Sequence, residues 1–314
     1  MIVFSPGEAN AARVAAAAQL ACLLEASAPK PGNVSPGRAF EDLRYEDFVA
    51  SALAIGRPLE GAGTRPLGET VRLAIESTWE WTKSNTNLGI VLLLAPLARA
   101  AINGVGGHFS RPPAPANNRP PERTSDPITV LRSALRRVLE ETTVDDAREV
   151  YKAIRLARPG GLGKAGAQDI AEEPTMTLLE VMRLAADRDD IACEYATGFE
   201  LTFATGAPAL ERARADRLPW DDAVIETYLT LLAARPDTHI IRRTGAAAAD
   251  EVSSRARAVL AEGGVRTPAG RRSIDDMDRA MRDARNSLNP GTTADLTTAA
   301  IFVVLLGGGW SQSA

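Results

Sequence analysis

Several things are scarce in this chain, and each shortage removes a class of function. Aromatic residues make up 5% of the 314 residues, too few for the stacking platforms that hold single-stranded nucleic acid. The formal net charge is -4, and both signs are spread along the chain. That is not the basic footprint of a nucleic-acid binder. There are two cysteines, Cys22 and Cys193, far apart and in no Cys-x-x-Cys pair. They read as buried thiols in a reducing compartment. There are two histidines, His108 and His239, without metal-ligand spacing, so neither zinc nor a histidine base is expected. Lysine occurs four times, as Lys30, Lys83, Lys152 and Lys164. The apolar stretch Ala299–Leu306 is far shorter than the roughly 20 residues of a membrane span. The start, Met1 to Glu8, lacks the basic segment and following apolar core of a secretory signal. The expectation is a soluble cytoplasmic protein with no nucleic-acid or membrane partner.

What is present is helical patterning. At 45% hydrophobic residues, the chain can build a large core in one or two domains. Residues 9–28 are Ala-rich, with apolar spacing at Val14, Ala17, Leu20, Leu23 and Leu24 that fits a helix. Pro29-Lys30-Pro31-Gly32 ends it, since two prolines and a glycine forbid continuation. Further helices are expected at 45–55, 67–81, 88–102, 128–141, 144–156, 178–186, 190–203, 220–234, 245–262, 273–284 and 294–306. The helix at 88–102 is apolar on most faces and should be central. No β-hairpin or β–α–β pattern appears. The expected architecture is all-α, one globular domain over 1–314, with a mobile Pro/Gly-rich excursion at 104–127.

Two segments, one in each half, are built alike. Ser84-Asn85-Thr86-Asn87-Leu88-Gly89 leads into Ile90 to Leu97. Asn286-Ser287-Leu288-Asn289-Pro290-Gly291-Thr292-Thr293-Ala294-Asp295-Leu296 leads into Ala299 to Leu306. Asn, Ser and Thr accept hydrogen bonds from free N–H groups at a helix start. Gly and Asn let backbone N–H groups approach an anion. Either each segment is an over-supplied helix cap, or the two grip a phosphorylated ligand between them. Asp295 can cap its helix or bind Mg²⁺ through water.

Other candidates have two readings each. Lys30 complements a helix dipole or presents its ammonium to phosphate from a rigid turn. Asp42, in Phe40-Glu41-Asp42-Leu43, alone says little. Asp237-Thr238-His239-Ile240-Ile241-Arg242-Arg243 holds an acid and two arginines, of which one should face solvent and the other can fork onto phosphate. Arg158 to Ala165 is Gly-rich but fails as a phosphate loop, because Arg158 and Ala165 stand where Gly and Ser or Thr are needed. It is a plain turn or a turn with a ligand role. Asp187-Arg188-Asp189-Asp190 is a metal-binding acidic cluster or a solvated helix terminus.

Taken together and in order, these residues resemble the triphosphoribosyl-dephospho-CoA synthase family. The resemblance rests on Pro29-Lys30-Pro31-Gly32, Asp42, Asn85-Thr86 with Gly89, Asp237-Thr238 with Arg243, and Asn289-Pro290-Gly291-Thr292-Thr293-Ala294-Asp295-Leu296. It implies an all-helical, ATP-dependent triphosphoribosyl transferase acting on 3′-dephospho-CoA or a related ribose-bearing acceptor, with Mg²⁺ accompanying ATP and adenine released. It implies Asp42 and Asp295 as carboxylates at the ribosyl centre or on Mg²⁺. It implies Lys30, Gly32, Asn33, Asn85, Thr86, Asn87, Gly89, Asp237, Arg243, Asn289, Gly291, Thr292 and Thr293 as nucleotide- and phosphate-binding residues. A homodimer is among the expectations.

The chain also departs from the family pattern. Asn87-Leu88-Gly89 stands where the family has His-Lys-Gly. Arg242-Arg243-Thr244-Gly245 replaces His-Arg-Gly-Gly, and Phe40 replaces a histidine. These changes mark a divergent branch. They leave a second reading, a non-catalytic helical protein binding a nucleotide or pterin in methanopterin-linked one-carbon metabolism. A third is a hydrolase of the same nucleotide.

Overall fold

The computed structural model describes residues 6–104, 126–161, 163–283 and 285–310. The excursion expected at 104–127, with His108, lies outside the described residues except at its ends. Among the described residues there are fifteen α-helices, and the β content is one isolated bridge, Ser35 to Arg38. The all-α expectation holds.

In chain order the helices are α1 (Pro6–Ser27), α2 (Tyr45–Ala54), α3 (Gly56–Glu60), α4 (Leu67–Trp81), α5 (Leu88–Gly104), α6 (Pro127–Glu140), α7 (Val144–Ala157), α8 (Leu178–Ala185), α9 (Asp190–Thr197), α10 (Ala207–Ala215), α11 (Trp220–Ala234), α12 (Thr238–Thr244), α13 (Ala246–Ala261), α14 (Pro268–Met281) and α15 (Gly291–Leu306). Helices α5 and α15 are the centre. Val91, Leu93, Leu94 and Leu97 of α5 are sealed from solvent, as are Ile301, Phe302 and Val303 of α15. A helix that is apolar all round must be wrapped on all sides. Here α15 packs on α5, α1, α10 and α11, while α6 covers the other flank of α5.

The start signals are local chemistry. Thr143 caps α7 and Thr177 caps α8, each in a reciprocal box with the acid three residues on, Asp146 or Glu180. Asp189 and Asp237 cap α9 and α12 through two backbone N–H groups each. Those four caps orient the helices that surround the site.

One helix expectation is corrected. The continuous helix at 190–203 ends at Thr197, where Gly198 turns left-handed (φ 67°). The buried Glu194 carboxylate then accepts the N–H groups of Leu201 (2.8 Å) and Thr202 (2.9 Å). This restarts the chain as a π-helical turn, Thr202–Gly206, running into α10. Apolar spacing continues across the break, so periodicity alone merges the two pieces. The short helices α3 and α12 are too brief to show a period, and α14 begins at Pro268, five residues before the expected 273.

Candidate active site

The N-terminal ends of α5 and α15 come together at one cavity of about 570 Å³. The contact between them is Gly89 against Asp295. A Cβ built on Gly89 would lie 2.0 Å from Asp295 Oδ2, so only glycine leaves room for that carboxylate. The two similar segments are therefore two halves of one wall. Also lining it are α8, α7, and the Gly-rich segments 159–160 and 163–170. Val150, Ile154, Val181 and Met182 make this second wall apolar, while Asn85, Asn87, Asn289 and Asp295 make the first wall polar.

Most polar groups of the first start are engaged in holding it still. Asn85 Oδ1 accepts the Leu88 N–H at 3.2 Å. Thr86 Oγ1 and Ser51 Oγ share a hydrogen at 2.5 Å. Asn87 Nδ2 donates to Thr78 Oγ1 at 2.9 Å. All three residues line the cavity, as rigid polar surface rather than loose donors.

The second start is tied down by Asp237, which is 1% exposed. Its carboxylate accepts from Thr293 N–H (2.7 Å), Thr293 Oγ1 (2.7 Å), His239 N–H (2.8 Å) and Ile240 N–H (3.1 Å). Asp237 thus joins the start of α12 to the start of α15, and the Thr293 donors are spent on it. Thr238 Oγ1 donates to Thr292 Oγ1 at 3.2 Å. By contrast, Asn289 Oδ1 is buried without a hydrogen-bond partner among the described residues. It lines the cavity and is an acceptor available to a ligand.

Asp295 faces the cavity with no hydrogen bond or ion pair to its carboxylate among the described residues. Burial, then the charges of Glu25 and Asp237, push its pKa well above the usual carboxylate range, and Arg242 pulls the other way. A carboxyl with raised proton affinity in a cavity is suited to proton transfer.

Several expected ligand residues stand elsewhere. Lys30 is 1% exposed and does not face the cavity. Its ammonium is 3.0 Å from Glu25 Oε1 and also donates to the carbonyls of Glu25 and Ala28. Asp42 is exposed and does not line the cavity, so the expected carboxylate pair of Asp42 and Asp295 is not brought together. Arg243 is exposed and donates to the carbonyl of Arg285 at 2.7 Å. Of the two neighbours it is Arg242 that lines the cavity, ion-paired with Asp189, its Nε without a hydrogen-bond partner among the described residues. Gly32 donates its N–H to Asp278 at 2.8 Å, away from the cavity. Asn33 does line it, with Nδ2 donating to Tyr228 Oη at 2.9 Å.

Glu25, His239, Lys164 and Arg188 line the cavity without being among the expected ligand residues. Glu25 carries a readable signal, because it extends the buried stripe Val14, Ala18, Ala21 of α1 as an acid at helical spacing. His239 packs its ring on Gly291, whose Cβ would lie 2.2 Å from Nδ1. Burial, then Arg242 and Arg243, push its pKa down to about 4, so it is a neutral imidazole. Lys164, in the Gly-rich turn whose second reading is a ligand role, and Arg188, in the acidic cluster, are exposed at the cavity mouth. No three His, Cys, Asp or Glu side chains gather into a metal site among the described residues. No helix among them is long and apolar enough to cross a membrane.

Fold and site together define an all-helical protein with one ligand cavity built where two buried helices begin. Residues 11–314 match the family model described as ATP:dephospho-CoA triphosphoribosyl transferase, and the chain belongs to that family. A Pseudomonas putida protein named probable 2-(5''-triphosphoribosyl)-3'-dephosphocoenzyme-A synthase is 36% identical over 106 residues, covering 34% of this chain and 37% of that protein. A Pectobacterium atrosepticum 2-(5''-triphosphoribosyl)-3'-dephosphocoenzyme-A synthase is 36% identical over 103 residues, 33% of this chain and 32% of that one. These matches span about a third of the curated relatives' length. A crystal structure from Archaeoglobus fulgidus, assigned as a triphosphoribosyl-dephospho-CoA synthase, superposes with a TM-score of 0.61 at 26% identity. It covers 84% of this chain and 99% of that one.

Proposed function

We propose that this protein transfers the triphosphoribosyl group of ATP to a ribose hydroxyl of 3′-dephospho-CoA or a related acceptor, releasing adenine. The observation that carries the reading is the Asp295 carboxylate seated on Gly89 where the two helix starts meet, in a chain of this family. In the reaction the acceptor oxygen bonds to C1′ of ATP as the C1′–N9 bond breaks. The electron pair of that bond leaves with adenine, and the proton lost by the hydroxyl ends on adenine. The anomeric carbon carries positive charge in between, which a carboxylate in a water-poor cavity stabilises. Asp295 is the group suited to move the proton.

ATP enters as its Mg²⁺ complex, the metal being part of the substrate and offsetting triphosphate charge. At the mouth, Arg242, Lys164 and Arg188 supply protein cations, and Asn289 Oδ1 supplies an unspent acceptor. A chain in this family without the His-Lys pair can draw its phosphate cations from these positions instead. The polar first start and the apolar wall of α7 and α8 suit a ligand with a charged end and a less polar one.

The test is chromatographic. Purified protein with ATP, Mg²⁺ and 3′-dephospho-CoA should release adenine in step with acceptor consumed, and Asp295→Asn should abolish it. Absence of adenine across dephospho-CoA and other ribose-bearing acceptors would overturn the reading. Family membership does not favour the non-catalytic alternative, and free ribose triphosphate among the products would instead point to hydrolysis.

A further inference from the structure

Glu25 has no place in the site inferred from the sequence, yet its surroundings are hard to explain by stability alone. It sits in the last turns of α1 at 4% exposure and lines the cavity. Its side chain has one cation, Lys30, at 3.0 Å, itself 1% exposed. The ammonium donates its hydrogen bonds to the carbonyls of Glu25 and Ala28. Apart from that ammonium, no hydrogen-bond donor reaches the carboxylate among the described residues. Burying a charge with so few partners costs more than an apolar pair of the same size, so a second use is expected.

The cavity is also polarised. Its exposed mouth carries Lys164 and Arg188, with Arg242 beside Asp189, and Asp169 there accepts from the Ala165 and Ala171 N–H groups. Away from the mouth it is lined by two carboxylates, Glu25 and Asp295, with Lys30 behind Glu25 and outside the lining. Both carboxylates act on the buried Cys22 thiol, which burial first and then Glu25 and Asp295 push up. The charge of Glu25 also acts on Asp295. Asp295, without an ion partner, is the one whose charged form is disfavoured. Of the two carboxylates, Glu25 is the one with an ion partner, Lys30 at 3.0 Å.

We infer that Glu25 is a catalytic residue whose carboxylate, fixed by Lys30 at the cavity floor, stabilises the positive charge that develops on the ribosyl C1′. The inference rests on the transferase reading above. A triphosphate at the cationic mouth directs the ribose inward, toward the floor. As the C1′–N9 bond breaks and its electron pair leaves with adenine, C1′ and the ring oxygen share positive charge until the acceptor oxygen bonds. A preformed, desolvated carboxylate stabilises that state without reorganising. Glu25 itself neither bonds to the sugar nor gains a proton.

The experiment separates charge stabilisation from structural support. Wild type, Glu25→Gln and the double variant Glu25→Gln/Lys30→Met are compared in adenine release and in calorimetric binding of two probes. One probe is ATP. The other is a 1,4-dideoxy-1,4-iminoribitol 5′-triphosphate, whose protonated ring mimics the ribosyl cation. Glu25→Gln should lower kcat roughly 100-fold or more, with KM for ATP within about threefold. Its affinity for the cationic probe should fall by a similar factor while ATP affinity holds. The double variant leaves no buried unpaired ammonium, so it should keep the wild-type melting temperature and show the same selective loss. Equal losses for both probes, or full turnover in the folded double variant, would overturn the role of Glu25. Wild type that releases no adenine would overturn the transferase reading and this role with it. Adenine release by wild type with an unimpaired Glu25→Gln would overturn this role only.

Discussion

The carboxylate of Asp295 lies on the Cα of Gly89, at the junction of two helix starts far apart in sequence. One residue has no side chain because the other's occupies its place. Gly89→Ala should therefore leave the fold intact and disturb the chemistry. The atom in the way is the end of a side chain, which can swing, and alanine gains helix propensity over glycine by about 0.5–1 kcal/mol. The melting temperature should stay near wild type while adenine release falls roughly 100-fold, as expected when a reacting group is moved by about an ångström. A substantially lower melting temperature would show that the pair is structural.

Asp237 should behave in the opposite way. Its two oxygens accept four hydrogen bonds that join α12 to α15. Asparagine replaces one of those oxygens with an NH₂ that faces donors. About 2 kcal/mol or more of stability should be lost, read as a drop in the urea midpoint. Unchanged stability with lost activity would move Asp237 into the reaction itself.

Of the two neighbouring arginines, Arg242 should set ATP affinity and Arg243 should not. Arg242→Ala should raise KM for ATP roughly tenfold or more, the cost of one charge-assisted contact. Arg243→Ala removes one exposed bond to the Arg285 carbonyl and should leave KM within about twofold, with at most about 1 kcal/mol lost in stability. Initial-rate measurements at varied ATP decide it, and the reverse ranking would contradict the cavity as described.

Two buried groups should tilt stability against pH in opposite directions. Burial pushes the pKa of Asp190 up to about 7, against the pull of Arg235, with Asp237, Asp189 and Glu194 adding to the rise. Between its usual value of 3.8 and about 7, the folded state holds a proton that the unfolded chain has released. Stability therefore falls as pH rises through that window. His239 is depressed from 6.5 to about 4, so there the unfolded chain holds the extra proton, and stability rises with pH over that range. The two slopes oppose each other, each approaching about 1.4 kcal/mol per pH unit. Asp190→Asn should uncover the rising slope, and His239→Gln the falling one. Urea unfolding at pH 4.5, 5.5 and 6.5 checks this, and identical profiles for the two variants would refute it.

The sequence shows most of the longer helices, those with a clear apolar period. Helices α4 and α11 run over the expected residues, Leu67–Trp81 and Trp220–Ala234. Expectation fails at 190–203, because a break made by Gly198 and a buried Glu194 leaves apolar spacing intact, and α10, Ala207–Ala215, is absent from the expected helices. The site is half legible for a related reason. Polar, Gly-containing helix starts are local signals, and Asn85, Asn87, Asn289 and Asp295 do line the cavity. Whether a charge faces inward is a tertiary matter. Lys30 is spent on Glu25, Arg242 and not its neighbour turns to the ligand side, and Asp42 remains outside. Lys164 and Arg188 reach the mouth only because α7 and α8 fold against each other.

Helices α5 and α15 supply both the innermost packing and the ends that meet the ligand. Packing and ligand contact therefore fall on the same two helices. A smaller side chain at Val303 or Leu94 opens space in the core and lets the helix settle along its axis, carrying Asp295 or Gly89 with it. The Gly-rich turn, through 159–160 and 163–170, lines the same cavity from its exposed side, without running through the core. Evolution toward a new acceptor has room to vary in that turn, while the two helix starts stay fixed by everything packed behind them.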